Sequence, residues 1–159
     1  MFTDTYFSSI KSTRGNTCAQ IWTNDIEWIR IDPMSTKTYS GKNLFKNYGV
    51  PSKIVMDGDR ERIMSKFKEA CQDATVQVHQ LEYNTPWANR DEGAVRENKR
   101  AARRAMKNSA CPVRIWYYCA ELQAAIRCHM AHDIPTLNDQ VPKTVVTGNT
   151  LDISELVKF

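Results

Sequence analysis

The sequence predicts an α/β fold: a five-stranded mixed sheet, three antiparallel strands followed by parallel ones, flanked by helices. Three observations point there. The first 32 residues are rich in aromatic and β-forming side chains, broken by two polar turns. After them, strand-like runs alternate with helix-periodic runs. The order that results is β-β-β-α-β-α-β-α-α. That order suits a sheet with helices on both faces, whose crossovers lay the later strands parallel to the first.

The elements follow in chain order. "FTDTYFSSI" is the first strand and "STRGN" a turn carrying a base and a glycine. "TCAQIW" and "IEWIRI" are the next two strands, joined by the short polar "TND" as a hairpin. "STKTYSGKNLFKNYGVP" reads as a short helix that stops at Gly49, with Pro51 just beyond. "SKIVMD" is a short apolar run fit for a buried strand. "RERIMSKFKEACQ" places Ile63, Met64, Phe67, Ala70 and Cys71 at helical spacing. "ATVQVHQLE" alternates as a strand. Two helices close the core, one from the polar turn around Pro86, Trp87 and Asn89 onward, the other in "PVRIWYYCAELQAAIRCHMAH". Residues 1–132 thus form one core-like domain, and 133–159 a tail with turn signals at Pro135, Pro142 and Gly148.

Composition narrows the class. At 159 residues, 42% hydrophobic and 25% charged, the chain can bury a core of its own. No apolar run approaches a membrane span and the N-terminus lacks a signal-peptide layout, so no membrane partner is expected. Five cysteines without a C-x-x-C pair read as reduced, mostly buried thiols. His129 and His132, three apart on the last helix, have no suitably spaced partner for a metal.

The charge is uneven. Between 96 and 107 stand Arg96, Lys99, Arg100, Arg103, Arg104 and Lys107 against the single acid Glu97. The whole chain carries only +4, so essentially all of its excess lies in this helix. Three acids sit at notable places: Asp4 inside the first strand, Asp57 at the end of the fourth, and Glu92 at the head of the basic helix. Ligands of open α/β sheets gather at the carboxyl ends of parallel strands and at nearby helix N-termini. Carboxylates meeting there suit a hard cation and phosphodiester chemistry. Each also has a plain reading: Asp4 as an exposed strand residue, Asp57-Gly58 as a turn pair, Asn89-x-x-Glu92 as a capping box.

At these residues the chain resembles the catalytic core of retroviral and retrotransposon integrases, which has the RNase H-like fold. "TDTYFS" offers Asp4, "VMDGDRE" offers Asp57 and "PWANRDEGAVRENKR" offers Glu92. Gly58 stands where the family usually has Asn, and Arg90 where Gly is common. The tail "QVPKTVVTGNTLDISELVKF" resembles the stretch that follows the core in copia-type retrotransposon polyproteins. The family's N-terminal His/Cys zinc-binding module and further C-terminal region have no counterpart here, so an isolated core or a polyprotein fragment is expected.

The resemblance implies DNA integration: 3′-end processing, then strand transfer, with Asp4, Asp57 and Glu92 as catalytic, metal-binding residues. The implied cofactor is Mg2+ or Mn2+. The implied partners are DNA, both element ends and target, and further copies of the chain. The implied address is the nucleus, with a cytoplasmic particle stage. Positions 92, 96, 99, 103 and 107 share one helix face, leaving Val95, Ala102 and Met106 as the buried side. Arg96, Lys99, Arg100, Arg103 and Lys107 are therefore the expected DNA contacts. Two alternatives share these features: a catalytically inert nucleic-acid-binding relic of a retroelement, and an RNase H-like nuclease.

Overall fold

The computed structural model describes residues 1–35, 41–56, 64–81, 90–149, 152 and 154, and of 41–44, 64–66 and 90–92 the backbone only. Five strands form one sheet in the order β3-β2-β1-β4-β5. They are β1 (Phe2–Phe7), β2 (Cys18–Thr23), β3 (Ile29–Met34), β4 (Lys53–Met56) and β5 (Gln77–Gln80). The helices are α1 (Gly41–Tyr48), α2 (Met64–Asp73), α3 (Arg90–Asn108), α4 (Trp116–His129) and α5 (Pro142–Thr147). β1, β2 and β3 pair antiparallel, whereas β4 pairs parallel with both β1 and β5. The fold expected from the sequence is the one observed.

All six residues of β2 are buried. A strand buried at every position has both faces covered, which requires flanking layers on each side of the sheet. On one face, Tyr6 of β1 stacks on Trp116 of α4, with ring centroids 5.3 Å apart. Ile29 of β3 exchanges contacts with the Cys128 thiol on the same helix. Side chains alternate along a strand, so Asp4 shares the face of Tyr6 while Thr3 and Thr5 take the other. There Thr3, Thr5 and Gln20 satisfy one another, the Gln20 amide donating to the Thr3 hydroxyl and the Thr5 hydroxyl to the Gln20 carbonyl oxygen.

Several boundaries differ from the sequence reading. The β2–β3 link is longer than "TND". The Asn24 side chain accepts from the N–H groups of Ile26 and Trp28, and Glu27 takes φ 59°, so the turn runs to Trp28. β3 accordingly shifts onward and includes Pro33, which an edge strand tolerates. β5 is only four residues, because Ala74 and Thr75 still form the exit of α2, with Thr75 at φ 57°. The last long helix begins as a 3-10 turn at Val113–Ile115 and ends at His129, so His132 lies beyond it. The tail packs back: Leu137 is 1% exposed and the Thr136 hydroxyl donates to the Asp25 carbonyl.

All five cysteines are free, and four are buried. The Cys71 thiol is pushed up to about 11 by burial alone. His129 and His132 spend ring nitrogens on backbone carbonyls of Ala125 and Arg127, and His129 also meets Lys143. No helix among the described residues is long and apolar enough to cross a membrane.

Candidate active site

Asp4 lies in mid-β1, partly buried, on the face that α3 and α4 cover. One of its carboxylate oxygens accepts the Thr5 N–H at 2.5 Å. Its strand neighbour Thr3 pairs in parallel register with Met56, the last residue of β4. Asp57 itself lies outside the described residues. Met56, which precedes it, lies beside Thr3, which precedes Asp4.

Glu92 is in the first turn of α3, as expected, but its side chain lies outside the described part, as do the loop residues Pro86, Trp87 and Asn89. The course of α3 is clear. Near its N-terminus, Gly93 and Ala94 line a cavity of about 580 Å³ together with Thr23 and Asn24. Thr23 pairs with Phe2, at the start of β1. Two turns further on, the Lys99 ammonium sits 4.8 Å above the Tyr6 ring. The helix therefore runs along β1 in the same direction. Asp4 is two residues before Tyr6, about 7 Å, and Glu92 seven before Lys99, about 10 Å. Both acids step back from the same contact toward the same end of the sheet.

The buried side of α3 is the expected one: Val95 and Ala102 are buried and Met106 packs on the core. Asn98 joins them at 4% exposure, donating to the Ala120 carbonyl, with its own carbonyl oxygen unpartnered. Of the expected DNA contacts, Arg96, Arg103 and Lys107 are exposed. Arg100 pairs with Glu97 at 3.0 Å, a weak surface pair. Lys99 is half-buried against Tyr6. Burial pushes the Tyr6 hydroxyl up, against the lowering charge of Arg103 nearby.

A feature invisible in the sequence links these groups. Lys99 lies over Tyr6, Tyr6 stacks on Trp116, and Trp116 meets Tyr117 edge-on at 6.0 Å. This ladder ties the basic helix to β1 and α4 through residues more than a hundred positions apart. Aromatic pairs of this kind are each worth about 0.5–1.5 kcal/mol beyond burial. The only hint in the sequence is the aromatic run "WYY".

Among the described residues no group of three or more His, Cys, Asp or Glu is placed to hold a metal ion. The acids in question are Asp4, Asp57 and Glu92, and only the first has a described side chain. All three offer carboxylate oxygens, which is the donor chemistry that a hard divalent cation takes.

No protein-family model matches the chain, and no curated protein matches it. Among solved structures it is similar to a chain in the cryoEM structure of the simian T-cell lymphotropic virus intasome in complex with PP2A regulatory subunit B56 gamma. The two chains are 11% identical and superpose with a TM-score of 0.69 over 95% of this chain. The match spans 55% of that chain, so this protein covers about half of its neighbour's length, and what the two share is the fold.

Proposed function

We propose that this chain is an integrase-like catalytic core of the copia retrotransposon type, a divalent-metal-dependent polynucleotidyl transferase acting on DNA. The observation that carries the reading is the register Thr3 to Met56. It sets Thr3, which precedes Asp4, beside Met56, which precedes Asp57, while Glu92 stands in the first turn of α3, the helix that lies along β1. The likeness of fold to a chain of a retroviral intasome structure supports it.

Asp4, Asp57 and Glu92 would hold Mg2+ or Mn2+, which when bound supplies the charge that makes an oxygen nucleophile and neutralises a leaving oxygen. The chain's own part is to orient and grip. Arg96, Arg103 and Lys107 face solvent behind Glu92, where phosphates of a duplex can be neutralised. The chemistry is in-line displacement at phosphorus. Water attacks a phosphodiester near an element end, the bond to the 3′ oxygen breaks, and that oxygen takes up a proton as a free hydroxyl. The hydroxyl then loses its proton and attacks a target phosphodiester, forming a new ester bond as the target's own 3′ oxygen leaves.

The test is strand transfer and 3′-end cleavage on a short labelled duplex carrying the element end, with magnesium or manganese. Wild-type protein is expected to give metal-dependent nicked and joined products. Asp57→Asn keeps size but loses the charge a hard cation needs, and is expected to give neither product with the fold intact. Undiminished turnover in that variant removes Asp57 as a ligand. A folded wild-type protein that binds DNA and cuts nothing points to the inert relic. Cleavage confined to the RNA strand of hybrids points to the nuclease.

A further inference from the structure

The positive surface does not end with α3. The loop between β1 and β2, residues 8–17, and the segment 103–115 together hold six bases and no acid: Lys11, Arg14, Arg103, Arg104, Lys107 and Arg114. All six are exposed. Among the described residues none of them forms an ion pair. The fold pins the two segments together, the Thr13 N–H donating to the Arg114 carbonyl at 2.9 Å. The loop has a fixed shape. Ser12 is 1% exposed, its hydroxyl accepts the Asn16 N–H at 2.9 Å, and Gly15 takes φ 82° to close the turn. The aromatic ladder continues from α3 to this loop, because the Arg14 guanidinium lies 5.2 Å from the Tyr118 ring and 5.9 Å from that of Tyr117. Glu121, on which the charge of Arg14 acts, is half-buried, and burial raises its pKa against that lowering charge.

We infer that the β1–β2 loop and the turn after α3 form a second phosphate-gripping surface, which extends the nucleic-acid path beyond the basic helix and away from the acids. The inference rests on the reading of the chain as a DNA-acting core. Lys107 is fifteen residues past Glu92, about 22 Å along the helix. Phosphates gripped at the loop thus lie about six or seven base pairs from any scissile phosphate, at about 3.4 Å of rise each. A ready-made loop loses little entropy on binding. The occupant is a nucleic-acid backbone rather than an apolar partner, because the six cations dominate the patch and form no ion pair among the described residues. Phosphate contacts of this kind carry no base sequence.

The experiment is fluorescence anisotropy of the full chain with a labelled random-sequence 30-base-pair duplex, from 50 to 200 mM salt. Two pairs of variants are compared, each checked to be folded at the assay temperature: Lys11→Gln with Arg114→Gln, and Arg96→Gln with Lys99→Gln. Arg14 is spared because it packs on the tyrosines. The loop pair is expected to lower the salt slope by about 1.8, at about 0.9 per lost phosphate contact. The charge-keeping pair Lys11→Arg with Arg114→Lys is expected to restore it. An unchanged slope for the loop pair, with a lowered one for the helix pair, overturns the second surface and leaves the proposed function standing. Unchanged slopes for both pairs overturn the DNA grip altogether. Poly-L-glutamate bound as tightly as the duplex, with the same loss in the loop pair, overturns nucleic acid in favour of an acidic protein partner.

Discussion

Neutralising Arg96 and Lys99 together gives a quantitative test of the helix stripe. Arg96, Lys99, Arg103 and Lys107 lie on one face of α3 and span eleven residues, about 16 Å. That length matches about five base pairs of rise, so four phosphate contacts are geometrically reasonable. Four contacts give a slope of about −3.6 in log affinity against log salt, and two give about −1.8. Counting the helix stripe alone, a fourfold rise in salt should therefore weaken binding about 150-fold with four contacts in place, but only about 12-fold with two. The two sites should differ. Arg96 is exposed, whereas the Lys99 ammonium already lies over Tyr6, so losing it also costs about 0.5–1 kcal/mol of stability. Single variants should show a full slope change for Arg96 with unchanged melting, and a smaller slope change for Lys99 with a lowered melting temperature. The assay is anisotropy on two unrelated duplexes. Equal affinity and slope before and after substitution refute the reasoning, since the face would then be merely solvated. A loss confined to one of the two sequences refutes it differently, by implicating base readout.

Other expectations are briefer. Glu92→Gln should abolish metal-dependent cleavage and joining at unchanged melting temperature, because Gln serves a capping box as Glu does; retained activity would assign Glu92 to the cap. Native protein should expose one rapidly reacting thiol, that of Cys111, to an aromatic disulfide reagent, and five after denaturation, since the other four are buried. Stability should fall as pH rises above about 9. Cys71 stands at about 11 in the folded state against an ordinary value of 9.0, so between those values the unfolded chain sheds a proton that the folded one keeps. Cys119 and Cys128 are shifted the same way by burial. Below pH 9 this contribution is fully present, and Cys71→Ala should flatten the alkaline fall in thermal unfolding.

The order and direction of the strands were legible because they rest on local signals: aromatic and β-forming residues in "FTDTYFSSI" and "TCAQIW" broken by polar turns, the stop at Gly49, the apolar run before Asp57. The buried side of α3 was legible from period alone. What escaped depends on side-chain contacts across the chain or on turn chemistry. The β2–β3 turn is set by Asn24 capping two N–H groups, which composition does not reveal. Asn98 was not among the residues expected on the buried side, yet it is buried against Ala120. Arg14 read as an ordinary turn base; its place beside Tyr117 and Arg114 exists only because residues a hundred positions apart fold together. Of the candidate acids, Asp4 is found in β1, the strand in which the sequence placed it. Asp57 lies outside the described residues, and of Glu92 the place in the helix is described but the side chain is not.

The charge order along α3, acids in the first turn and Lys107 in the last, is not in itself a sign of function. The helix dipole favours that layout in any exposed helix, by about 0.3–1 kcal/mol per charge. A stripe that served only the helix would find partners at i,i+3 or i,i+4, as Arg100 does with Glu97. Among the described residues Arg96, Arg103, Arg104 and Lys107 form no such pair, although like charges so spaced repel one another. That repulsion is a standing cost that a bound polyanion would remove. The cost is tolerable because the helix is anchored elsewhere, by Val95 and Ala102 in the core and by the Lys99–Tyr6–Trp116 ladder. The same anchoring fixes the first turn of α3 relative to β1, and so relative to Asp4. In this fold the aromatic ladder thus performs two tasks with one set of contacts. It holds a helix that its own charges destabilise, and it sets the distance between the acid on the sheet and the acid on the helix.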